Sequence, residues 1–152
     1  MEEPQKTAVA PFNYAHSYAQ SAVTLEKHQT EATHWNAPVD FLYFHPIELY
    51  LKALLVRLGY DLNYLRKACS HRVRPLAELC QHKGLNLSLD AERVIDLMAD
   101  TDNAISSRYI RIGNHTRLPF SVYHEMCSSL HEQIGPRVYE GSGVSRRPIL
   151  NR

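Results

Sequence analysis

Two residue types that suit phosphate chemistry crowd one stretch of this 152-residue chain. Between Asn103 and His124 there is no acidic residue, while Arg108, Arg111, His115, Arg117 and His124 all fall there. A guanidinium is a planar, permanently charged fork that fits a phosphate bidentately. An imidazole near its ordinary pKa of about 6.5 exchanges protons at neutral pH. The same composition also describes a solvated basic face, with Arg108 paired to Asp100 or Asp102 and His115 in a surface loop. Both readings stand at the level of the residues. A weaker basic run covers Arg66 to Arg74, with Lys67, His71 and Arg72 between.

Glu48 is the other residue that asks for an explanation. On a helix, Phe44, Ile47, Leu51, Leu54, Leu55 and Leu58 make one apolar stripe, and Glu48 falls inside it. A carboxylate in such a seam needs a partner, because burying an unpaired charge is costly. Lys52, one turn later, offers an i,i+4 pair worth about 0.2–0.5 kcal/mol when exposed. An arginine or tyrosine from another helix is the partner expected first. The functional alternative is that Glu48 orients His115 or holds Arg108.

Other chemistries find no footing. His28 and His34 are six apart and His124 and His131 seven apart, without cysteine or carboxylate partners in ligand register, so no metal site is expected. Three cysteines without a Cys-x-x-Cys spacing point to reduced thiols rather than to a disulfide framework. There is no glycine-rich phosphate loop and no strand-turn-helix nucleophile signal. A net charge of +1 excludes a globally basic nucleic-acid binder but leaves local patches open. Apolar content of 44% and charged content of 22% are ordinary for a globular domain. No apolar run approaches the ~20 residues of a membrane span. Met1 to Lys6 lacks the pattern of a secretory signal, so a cytoplasmic protein without membrane contact is expected.

The elements that must position these residues read as helices. Tyr14, Tyr18, Ala22 and Leu25 recur at helical spacing and predict a first helix from about Asn13 to Ala32. A second runs from about Val39 to Leu58 and stops at Gly59. Pro46 must kink it or mark its first turn. Asp61 to Ala68 is a turn of helix or a connector. Arg74 to Lys83 forms a third main helix, with Pro75 in its opening turn. Ser88 or Asp90 caps the next, which carries Val94, Ile95, Leu97, Met98 and Ile105. The last opens near Pro119, repeats Phe120, Tyr123, Cys127, Leu130 and Ile134, and ends at Gly135-Pro136. Residues 1–12 and 139–152 read as loose tails around a single helical domain over 13–138. The expected fold class is all-α, an up-and-down bundle of four to five helices.

Three short words in the chain resemble those of a known family. Phe44-His45-Pro46-Ile47-Glu48-Leu49-Tyr50-Leu51-Lys52-Ala53 is similar to the signature helix of HEPN-domain proteins, helical bundles of prokaryotic toxin–antitoxin and defence systems. Ser70 to Leu76 resembles the family's entry to the following helix, and Ser107-Arg108-Tyr109 the Arg-Tyr that precedes its last one. The likeness covers about residues 13 to 135. Pro46 stands where the family usually has alanine, and Tyr109 where it often has asparagine.

The resemblance implies a metal-independent endoribonuclease without a cofactor, using an Arg-x(4–6)-His motif. Arg108 and His115, with six residues between, match that motif as catalytic residues. Arg111, Asn114 and Arg117 would then contact RNA, and Glu48 and Tyr109 would support the site. If residues 108 to 115 were helical, seven steps of 100° would leave both side chains within about 20° of one another. Gly113-Asn114 favours a turn instead. The resemblance also implies a homodimer with a shared cleft. The alternative is a non-catalytic helical module that dimerises or binds a partner, such as an antitoxin or a nucleotidyltransferase-like protein. Tyr109, Gly113 and the aromatic face of Tyr14 and Tyr18 motivate it.

Overall fold

The computed structural model describes residues 4–70, 72–102, 117–144 and 146–152. Among these the chain is all-α: α1 Pro4–Lys27, α2 Asn36–Arg57, α3 Leu62–Cys69, α4 Val73–His82, α5 Leu89–Asp102 and α6 Phe120–Tyr139. Helix α1 packs most extensively on α2, and both pack on α6, while α4 and α5 form a second layer against α2 and α6.

The directions of the three central helices follow from their contacts. Arg117 meets Asp40, the Cys127 thiol donates to Tyr43 O, Tyr50 meets His131, and Arg57 donates to Arg137 O. Residue numbers rise together along this series, so α2 and α6 run parallel. Helix α1 is antiparallel to both, since Phe12 touches Tyr50 and Tyr139 while Glu26 reaches Tyr43.

Helix α1 begins at Pro4 rather than near Asn13, and it ends at Lys27 rather than at Ala32. Proline suits the first position of a helix, where its missing N–H costs nothing. The buried face is Ala8, Phe12, Ala15, Ala19, Ala22 and Val23, whereas Tyr14 is 64% exposed. These small residues let the α1 backbone lie close to α2, and interhelical distance depends on the side chains at the contact. The expected tyrosine face is therefore not the core face of this helix.

Helix α2 passes through Pro46, which lies well inside it and is buried, so the proline does not mark its start. Gly59, at φ 100°, follows the C-cap Leu58 and ends the helix as expected. Asp61 makes the short connector a true helix by accepting from the Asn63 and Tyr64 amides at 2.6 and 3.3 Å. Ser88 caps α5 through a 3.1 Å bond from Ala91 N.

Helix α6 does not stop at Gly135-Pro136 but continues to Tyr139. Gly135 serves packing, not termination: a Cβ there would lie 2.7 Å from Arg147 Nη1 and 3.1 Å from Phe12 Cζ. Nor is the segment after α6 a loose tail. Tyr139 and Ser142 make a tight turn, Gly141 and Gly143 take positive φ, and residues 146–152 fold back along α6 and α1. All three cysteines are free and buried.

Candidate functional site

Arg108, Tyr109, Arg111, Asn114 and His115 lie outside the described residues. Of the basic run, Arg117 is described, and it stands where the chain enters α6. Its guanidinium is 2.6 Å from an Asp40 carboxylate oxygen and 5.7 Å above the Phe120 ring. Asp40 comes from the first half of α2, which the parallel packing of α2 and α6 brings level with the start of α6.

Asp40 is the residue that sequence reasoning missed. Burial pushes its carboxyl up from 3.8 to about 6, and the Arg117 charge only partly offsets this. A carboxyl that titrates near neutrality is equipped to give and take protons. Beside it, the Tyr123 hydroxyl accepts from Leu118 N at 3.1 Å, anchoring the strand of chain that leads into α6. No motif marks Asp40, because its partner Arg117 lies 77 positions away in sequence. The corner thus joins a carboxyl whose pKa burial raises, a fixed guanidinium, and the Tyr43, Phe44, Phe120 and Tyr123 rings.

Glu48 occupies a different place. It lies eight residues after Asp40 on the same helix, about 12 Å along the axis at 1.5 Å per residue. It is buried to 9% exposure, with Lys52 Nζ 3.1 Å from Oε1 and His45 Nδ1 3.8 Å from Oε2. The intrahelical lysine pair is thus part of its setting. His45 in turn stacks on Phe41 and meets Tyr18 edge-on.

In the weaker basic run, Arg74 pairs across to Asp96 and Glu92 on α5, tying α4 to α5 as a structural clasp. Among the described residues no group of three or more His, Cys, Asp or Glu side chains is gathered so as to hold a metal ion.

The chain matches no family model, no curated protein and no solved structure. Its class therefore rests on its own architecture. It is an all-α protein, and among the described residues no helix is long and apolar enough to cross a membrane.

Proposed function

We propose that this chain is a HEPN-like, RNA-directed protein, acting as a metal-independent endoribonuclease through Arg108 and His115. The observation that carries the reading is the Arg117–Asp40 corner, where a fixed cation from within the acid-free run sits beside a carboxyl that burial pushes up to about 6. In this reading a base removes the 2′-hydroxyl proton, the freed oxygen attacks phosphorus, and the bond to the 5′-oxygen breaks. An acid returns a proton to that leaving oxygen, giving a 2′,3′-cyclic phosphate and a 5′-hydroxyl. His115 serves as acid or base, and Arg108 stabilises the charge that develops on phosphorus. Arg111, Asn114 and Arg117 hold the polynucleotide, and a second copy of the chain completes a shared cleft. The protein works in the cytoplasm without a cofactor.

The test is incubation of purified protein with a structured RNA in EDTA. Cleavage is expected, with a fall of at least about 100-fold in His115→Ala, the usual contribution of a positioned acid or base, and of similar size in Arg108→Ala, which removes a charge-stabilising donor. Cleavage that persists undiminished in both variants would remove the assignment.

One observation favours a second reading, a non-catalytic module that binds an antitoxin or a nucleotidyltransferase-like protein. Arg117 already has a carboxylate and an aromatic ring as partners, while Tyr14 stays 64% exposed on α1. Under this reading light scattering shows a complex with the partner that Tyr14→Ala weakens, and RNA stays intact.

A further inference from the structure

Residues 148–152 lie extended over the seam between α1 and α6, and they are held mainly by their main chain. Pro148 O accepts from His131 Nε2 and Ile149 O from His16 Nε2, both at 2.8 Å. Gln20 then embraces Asn151, its Nε2 donating to Asn151 O and its Oε1 accepting from Asn151 N, both at 3.0 Å. A peptide carbonyl only accepts, so both imidazoles donate through Nε2. His131 Nδ1, 2.8 Å from the Tyr50 hydroxyl, is then free to accept from it.

Side chains select at alternate positions, as on an extended strand. Leu150 packs on the core while Ile149 stays exposed, and Arg152 reaches the Glu26 carboxylate at 2.8 Å. Donors aimed at carbonyls, an amide that pairs both backbone groups of one residue, an apolar seat and an acidic end make up a peptide-binding groove. Two further facts bear on how firmly the chain's own segment fills it. The connection from α6 runs through Gly141 and Gly143, both at positive φ, where glycine turns without strain. His124, buried on α6, also faces the main chain of Asn151, which counters the downward push of burial on its pKa.

We infer that the seam between α1 and α6 is a recognition groove for an extended peptide bearing an aliphatic residue followed two positions later by arginine. Residues 148–152 occupy it intramolecularly and keep it closed. A tethered segment competes at an effective concentration in the millimolar range, so an outside peptide binds the native chain weakly until the segment is displaced. This is independent of the RNA reading, since none of the groove residues belongs to that site.

The experiment uses the 152-residue chain and a fluorescein-labelled peptide with the sequence of residues 146–152, followed by anisotropy. Leu150→Asp in the protein should raise affinity for the labelled peptide at least ~10-fold over the native chain, because the competitor is weakened. Arg152→Glu, at an exposed position facing Glu26, should do the same and needs no change in the core. Adding Gln20→Ala to either variant should abolish the gain, as should placing Leu150→Asp in the peptide instead. No saturable binding to either variant, with helical circular dichroism retained, would overturn the inference. So would an interchain disulfide as the main product of a Gln20→Cys, Asn151→Cys variant, since the occupant would then be a second copy.

Discussion

Asp40 shows how a single side chain acquires a chemistry that its type does not announce. Its oxygen lies 2.6 Å from a guanidinium, yet loss of water outweighs that attraction and the carboxyl titrates near 6. Carbon-detected NMR of the Asp40 carboxyl should therefore give a midpoint of about 6 instead of 3.8. Arg117→Ala should move that midpoint further up, because it removes an attraction that favours the charged form. A midpoint near 3.8 in the native chain would mean that Asp40 is an ordinary surface carboxylate. Glu48 marks the contrast: equally placed in an apolar seam, it meets a lysine one turn away on its own helix. A partner supplied locally is legible in a sequence; one supplied by a distant helix is not.

At the scale of the element, α1 departs most from what periodicity predicted. Tyr14 and Tyr18 suggested one face, but alanines and Phe12 form the buried one. Phe12 touches Tyr50, His131 and Tyr139, so it joins α1 to both central partners. Phe12→Ala should cost about 3–5 kcal/mol in urea unfolding, the range for truncating a buried aromatic. A loss near zero would restore residues 4–12 to the status of a loose tail. Gly135 makes the complementary prediction. In an exposed helix, alanine for glycine stabilises by about 1 kcal/mol. Here the added carbon meets Phe12 at 3.1 Å and Arg147 at 2.7 Å. Overpacking costs about 1–3 kcal/mol, so Gly135→Ala should fail to stabilise and should lower the urea midpoint.

Across the whole molecule, buried titratable groups set opposing pH dependences. Burial lowers His124 and His131 below the usual 6.5, so protons favour the unfolded chain. Their contribution is complete above 6.5 and is lost as pH falls through their lowered folded values. Asp40 runs the other way, its contribution present below 3.8 and lost as pH rises through about 6. The native chain should thus lose stability on acidification below about pH 6.5, with Asp40 offsetting part of the loss between about 6 and 4. Urea midpoints against pH should show a steeper acid fall in Asp40→Asn and a shallower one in His131→Gln.

The all-helical class, the Gly59 stop, the Ser88 cap and the span of α4 were open to a reader of the chain, because each depends on neighbours within a turn or two. The extension of α1 to Pro4, the run of α6 through Gly135-Pro136 and the docking of residues 146–152 were not. Each follows from contacts between residues more than a hundred positions apart, such as Asn13 with Tyr139 or Gln20 with Asn151. The same division holds for chemistry. Residue types alone put cations in the run from 103 to 124, whereas only the parallel packing of α2 against α6 set Arg117 beside Asp40. Local geometry is written in hydrogen bonds a few residues long; the environment that tunes a carboxyl or seats a peptide is assembled when distant helices exclude water together.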